Sequence, residues 1–293
     1  MTFNDNADIS SGKASRRGRT GMIAGGGGGV ALIVVLYIVS QLAGFDLSGL
    51  VGGGGAPSGG SSADSLDQCT TGAQANSDID CRMKAAAASL EAYWSEEYPA
   101  LGGTYAAPQP IALFSGSTNT GCGGASSATG PFYCPADETL YIDTSFFADL
   151  RDRFGSSGGP LAQLYVVAHE WGHHIQKLDG VLDKPHSDTG PGSTSIRTEL
   201  QADCFAGAWV SAASTTPDAN GVPFLKPPTT AEIADALSAA SAVGDDRIQA
   251  ASGQVNPESW THGSSEQRQR WFTTGRTSGA QSCDTFAPST ARL

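Results

Sequence analysis

The sequence predicts an α+β fold, dominated by helices with a small sheet and preceded by one transmembrane helix. Three observations carry that reading. Apolar residues recur at helical spacing through several long segments, above all 160–178 and 198–209. Two short runs, 110–114 and 139–143, hold the branched and aromatic residues of strands. A charge-free stretch over 21–45, centred on Val30-Ala31-Leu32-Ile33-Val34-Val35-Leu36-Tyr37-Ile38-Val39, is long enough for a helix to cross a bilayer.

In chain order, the first region is 1–20, where Lys13, Arg16, Arg17 and Arg19 oppose only Asp5 and Asp8. Basic residues flanking an apolar span stay in the cytoplasm. This predicts a single-pass membrane protein with a cytoplasmic N-terminus and an extracytoplasmic body. A cleaved signal peptide is the alternative for 21–45, but no A-x-A site follows the apolar run. Residues 46–65 are rich in Gly and Ser and read as a flexible linker with a reach of about 25 Å, which keeps the body near the membrane. Residues 66–287 make one domain large enough for a core, and 288–293 a short tail.

Within the domain, a helix over 80–97 ends before Pro99, and the strands 110–114 and 139–143 follow. The strand of Tyr141 is the candidate edge for binding an extended peptide. A short helix over 146–154 precedes a glycine-rich turn. A helix over 231–251 is interrupted by Gly244, and Ser264-Ser265-Glu266-Gln267 caps a last helix running through Trp271.

Six cysteines, Cys69, Cys81, Cys122, Cys134, Cys204 and Cys283, all follow the charge-free stretch. An even count in an oxidising compartment points to disulfides. Fifteen pairings are open on sequence alone. The expected set is Cys69–Cys81 and Cys122–Cys134, which close short loops, and Cys204–Cys283, which ties a long helix to the C-terminus. A second zinc site is the alternative, but no C-x-x-C pair is present.

The segment richest in chemistry is His169-Glu170-Trp171-Gly172-His173. Histidines four apart on a helix share a face, so both imidazoles reach one metal ion. Glu170 then stands beside that ion, placed as general base for a bound water. This is the H-E-x-x-H arrangement of zinc peptidases. Pro160 suits the first turn of its helix, and Gly172 inside it implies a close neighbour, either the metal or another backbone. Downstream, Glu199 and Asp203 share a face of a second buried helix. Glu199 is the expected third ligand, and Asp203 the acceptor that fixes the tautomer of one ligand histidine. A solvated acidic face is the bland alternative. His262, ahead of a helix start, is the candidate oxyanion donor, with a surface or capping histidine as the alternative. His174 points a quarter-turn away and is not expected on the same ion. His186 lies in a loop that flanks the cleft or is plain surface. Arg247, Arg268 and Arg270 read as solvated or ion-paired.

The run His169-Glu170-Trp171-Gly172-His173-His174-Ile175-Gln176, with Glu199-Leu200-Gln201-Ala202-Asp203-Cys204-Phe205-Ala206-Gly207, resembles the bacterial membrane-anchored neutral zinc metallopeptidases. Gly130-Pro131-Phe132-Tyr133-Cys134-Pro135, Ala242-Val243-Gly244-Asp245-Asp246-Arg247 and Thr261-His262-Gly263 resemble the same family. The resemblance implies a zincin-like fold and one Zn2+ per chain, held by His169, His173 and Glu199. It implies peptide or protein substrates without naming them.

The formal charge of -12 argues against nucleic acid, which demands basic surface. Two rival functions remain on sequence grounds. One is a non-catalytic, zinc-stabilised binding protein at the membrane. The other is a zinc hydrolase of a non-peptide amide or ester, such as a cell-wall crosslink.

Overall fold

The computed structural model describes residues 2–17, 63–153, 155–183, 188–251 and 255–293. Its main sheet has the order β2-β1-β3-β7-β6. The strands are β1 (Ala14–Arg17), β2 (Ala63–Ser65), β3 (Gln109–Phe114), β6 (Phe132–Cys134) and β7 (Thr139–Asp143). The inner strands β1, β3 and β7 run parallel, and β2 and β6 join them antiparallel. A separate hairpin pairs β4 (Ser117–Thr120) with β5 (Gly123–Ser126).

Eight α-helices complete the described fold. They are α1 (Gly72–Ser77), α2 (Ile79–Ala100), α3 (Phe146–Asp152), α4 (Pro160–Leu178), α5 (Thr194–Ala212), α6 (Thr230–Ala242), α7 (Asp245–Ala251) and α8 (Ser265–Ser278). Helix α2 packs on β1 and β3, and α4 on β6 and β7. Helices α5 and α6 cover α4, and α8 lies against α5. The core fills the space between, with Trp94, Trp209, Tyr165 and Phe272 all within 2 % of full burial. Sites between α4, α5 and α8 are therefore held from several sides.

The helices meet closely because small residues sit at their crossings. A Cβ on Gly207 of α5 would stand 2.0 Å from the Phe272 carbonyl oxygen, and one on Gly275 of α8 1.8 Å from that of Cys204. A Cβ on Gly172 of α4 would stand 3.0 Å from Ala202 Cα on α5. The neighbour implied at Gly172 is thus a backbone. All three disulfides pair as expected, Cys69–Cys81, Cys122–Cys134 and Cys204–Cys283.

Two expectations need correction. Tyr141's strand, β7, is not an edge: β3 and β6 flank it on both sides. The edges among the described residues are β2 and β6. Nor is 1–20 a separate N-terminal region. Phe3, Ala7 and Ile9 are buried in the core, and β1 lies inside the sheet. At the end of the supposed linker 46–65, Ala63–Ser65 forms β2 beside it. Among the described residues no helix is long and apolar enough to cross a membrane. The expected span over 21–45 lies outside them, as do His186 and most of the linker.

Candidate metal centre

Helices α4 and α5 carry the candidate metal residues. Helix α4 starts with Pro160 and buries one broad face, including His169 and Glu170. Helix α5 is capped by Ser193, whose side chain accepts from the Ile196 amide. The Gly172–Ala202 contact holds the two together. As a result one donor atom each of His169, His173 and Glu199 converges, all within 4.8 Å of one another. His169 Nε2 lies 3.2 Å from Glu199 Oε2, and His173 Nε2 3.6 Å from Glu199 Oε1.

The opposite ring nitrogens are occupied. His169 Nδ1 donates to Asp203 Oδ1 at 2.9 Å, and His173 Nδ1 faces Gln176 Oε1 at 2.8 Å. With both Nδ1 atoms engaged, both Nε2 atoms are left facing the gap that Glu199 borders. Two imidazoles and one carboxylate, oriented from behind by an acidic side chain and an amide, are the donor set a catalytic zinc takes. The residues present therefore fit that ion. Asp203 occupies the place expected from sequence.

Asp203 is fully buried and its negative charge is matched. Arg268 from α8 donates Nε to Oδ2 at 2.8 Å and Nη2 to Oδ1 at 2.9 Å. The Tyr165 hydroxyl also donates to Oδ1, and Arg268 Nη2 reaches that hydroxyl at 3.3 Å. Burial alone would raise the Asp203 carboxyl, yet Arg268 and His169 hold it below the ordinary range. Sequence reasoning left Arg268 unplaced because its helix is polar overall. Its buried residues, Arg268, Trp271, Phe272 and Gly275, nonetheless follow the i, i+3, i+4, i+7 pattern of an inward face.

The titration of the site is set by burial and by these charges. Burial raises Glu170 to about 7, with the Glu199 carboxylate adding to it and His169 and the Tyr133 amide opposing. Burial lowers His173 to about 4, with Glu199 opposing. His169 is raised to about 10, because Asp203 and Glu199 overcome its burial. His262 is raised too: burial opposes, but Asp245 and Glu199 prevail. Asp245 is buried and accepts from the amides of Thr261, His262 and Gly263, with His262 Nδ1 at 3.4 Å. It anchors the turn that brings His262 within reach of the Glu199 charge, a role sequence reasoning missed. His174 turns elsewhere, its Nε2 2.7 Å from the Ala106 carbonyl and Nδ1 3.0 Å from the Tyr133 hydroxyl.

A partly buried His, His, Glu cluster on two contacting helices, with a second glutamate beside it, defines a candidate zinc hydrolase site. Comparison with known proteins identifies the group: residues 3–286 match the family described as "Putative neutral zinc metallopeptidase", and the chain belongs to it. Among its relatives, the uncharacterized protein Rv2575 of Mycobacterium tuberculosis is 54% identical over 226 residues, covering 76% of this chain and 75% of that one. The uncharacterized protein YpfJ of Escherichia coli is 39% identical over 289 residues, covering 96% and 94%. No solved structure matches.

Proposed function

We propose that this chain is a zinc-dependent endopeptidase that works at the outer face of a membrane and hydrolyses peptide bonds with Glu170 as general base. The observation that carries the reading is the convergence of His169, His173 and Glu199 on one point with Glu170 alongside. Zinc, when bound there, polarises the scissile carbonyl and acidifies its water. Glu170, with a pKa raised to about 7 before any metal arrives, takes the water's proton and hands it to the leaving amine. His262, with Nδ1 turned to Asp245, has Nε2 left to donate to the oxyanion. Asp203 and Arg268 keep His169 in the tautomer that presents Nε2.

The position of β6 beside α4 supports a place for the substrate as well. Edge strand β6 runs next to α4, and the Tyr133 amide reaches Glu170. An extended peptide added alongside β6 would lie beside the metal residues. Three disulfides support a body that matures in an oxidising compartment, and the charge-free stretch 21–45 supports attachment to a membrane.

The test is Glu170→Gln in the zinc-loaded protein, assayed against a peptide library with metal content measured in parallel. Zinc at wild-type stoichiometry with cleavage abolished is the expected result. Normal cleavage by the variant overturns the mechanism, and absence of cleavage by the wild type favours the binding-protein reading.

A further inference from the structure

The described N-terminal segment, Thr2–Arg17, is anchored to the body at points spread along its length. Phe3, Ala7 and Ile9 are 1%, 0% and 0% exposed. The Phe3 amide donates to Asn76 Oδ1 at 2.9 Å, and Asn76 Nδ2 donates back to the Phe3 carbonyl at 3.0 Å. The Asn4 amide reaches the Phe224 carbonyl at 2.9 Å, and Gly72 donates to Ala7 at the same distance. A Cβ on Gly12 would stand 2.1 Å from the Lys84 carbonyl oxygen, and one on Gly72 1.9 Å from that of Asn4. The segment's backbone is therefore seated directly on α1 and α2. Strand β1 lies between β2 and β3 and supplies β3 with one of its two parallel partners. Burying three such apolar side chains is worth several kcal/mol, at about 1.5–3 for each large one.

Two of the four basic residues that argued for a cytoplasmic N-terminus, Arg16 and Arg17, are used in this packing, while Lys13 is exposed. Arg16 binds Asp80 through both Nε and Nη2 and reaches Ser115 and Thr144. Arg17 stacks 4.8 Å from the Tyr141 ring centroid and donates to the Asn119 carbonyl at 2.8 Å. Neither is then a free positive charge at a membrane surface.

Strand pairing sets the topology. Arg17 is the register partner of Ala63, and adjacent strands lie about 4.8 Å apart. The chain leaves the sheet and re-enters it at neighbouring points, so both points lie on one side of any bilayer.

We propose that Thr2–Arg17 and the metal-bearing body occupy the same side of the membrane, as strands and core of one folded unit. This rests on the membrane reading above, and it replaces the single-pass topology that charge asymmetry alone predicts.

The test uses the full chain in intact cells with Ser15→Cys and Ser65→Cys combined. These two are register partners, at a separation a disulfide accepts, and among the described residues the native cysteines are all paired. A specific protease site is inserted in 46–62. After cleavage, a non-reducing gel should show the N-terminal piece still bound to the body. In the single variants, a membrane-impermeant maleimide should label both introduced cysteines without permeabilisation, Ser15→Cys more slowly because Ser15 is only partly exposed. Release of the N-terminal piece, with Ser15→Cys labelled only after permeabilisation while Ser65→Cys labels at once, overturns the proposal. Recovery of the bridged chain in the soluble fraction after lysis at physiological salt, with none in the membrane pellet, overturns the membrane reading, whatever the labelling shows.

Discussion

Arg268→Met removes one charge of a pair that has almost no contact with solvent. Arg268 is 3% exposed and Asp203 0%. The substitution strips Asp203 of two donors, including the Nε–H on Oδ2, and takes Nη1 from the Val243 carbonyl, 3.1 Å away. Breaking a buried pair from one side costs about 3–5 kcal/mol. At slopes usual for urea unfolding, that lowers the midpoint by about 1–2 M. The sign with pH follows from the depressed Asp203 carboxyl. Its stabilisation is fully present above about pH 4, the unfolded value, and is lost as pH falls through the lower native value. Without Arg268 the native value rises, so the acid loss begins at higher pH. Behind His169 the same change should weaken zinc binding by about 10–100-fold. Urea titrations of metal-free protein, with zinc competition against a chromogenic chelator, measure both effects. Adding Asp203→Asn should recover part of the stability, because no buried charge is then left unpaired. An unchanged midpoint in Arg268→Met, or strict additivity in the double variant, refutes the reasoning.

Glu199→Ala should cut zinc stoichiometry sharply, whereas His174→Ala, which removes contacts to Ala106 and Tyr133, should leave it intact; atomic absorption separates the two. Glu170 is raised from 4.5 to about 7, so metal-free protein binds a proton there that the unfolded chain has released. Its stability should fall as pH rises from about 5 to 7, by on the order of 3 kcal/mol. Glu170→Gln should abolish that slope, and equal urea midpoint shifts between pH 5 and 8 for the two proteins would contradict it. Replacing both Cys204 and Cys283 by Ala opens a loop of 79 residues and should cost about 4.5 kcal/mol on the chain-entropy account, read by thermal unfolding with and without reductant.

The parts of this structure legible in the sequence are those specified locally. Helix α4 was expected over the residues it occupies because Pro160 fixes its start and its apolar pattern runs unbroken to Leu178. The positions of His169, Glu170, His173, Glu199 and Asp203 followed from helical spacing alone. What escaped depends on remote partners. Strands β1 and β2 are four and three residues long, are separated by the charge-free stretch, and gain their identity only from β3. Strand β6, three residues long, carries too little pattern to be distinguished from a loop, so the edge was assigned to its neighbour. Arg268 was read as solvated or ion-paired, and the structure selects the ion pair, in a buried setting that its polar helix did not announce. Only the facing carboxylate of Asp203, 65 residues away, makes its burial favourable.

Gly172 meets Ala202 backbone to side, with no flexible atoms between them. The separation of the helices that carry the two histidines and Glu199 is thus held by packing outside the ring of donor atoms. Such packing acts as a jaw of fixed gauge. The same rigidity makes it selective, because an ion that prefers a wider or more numerous shell must either strain two packed helices or bind incompletely.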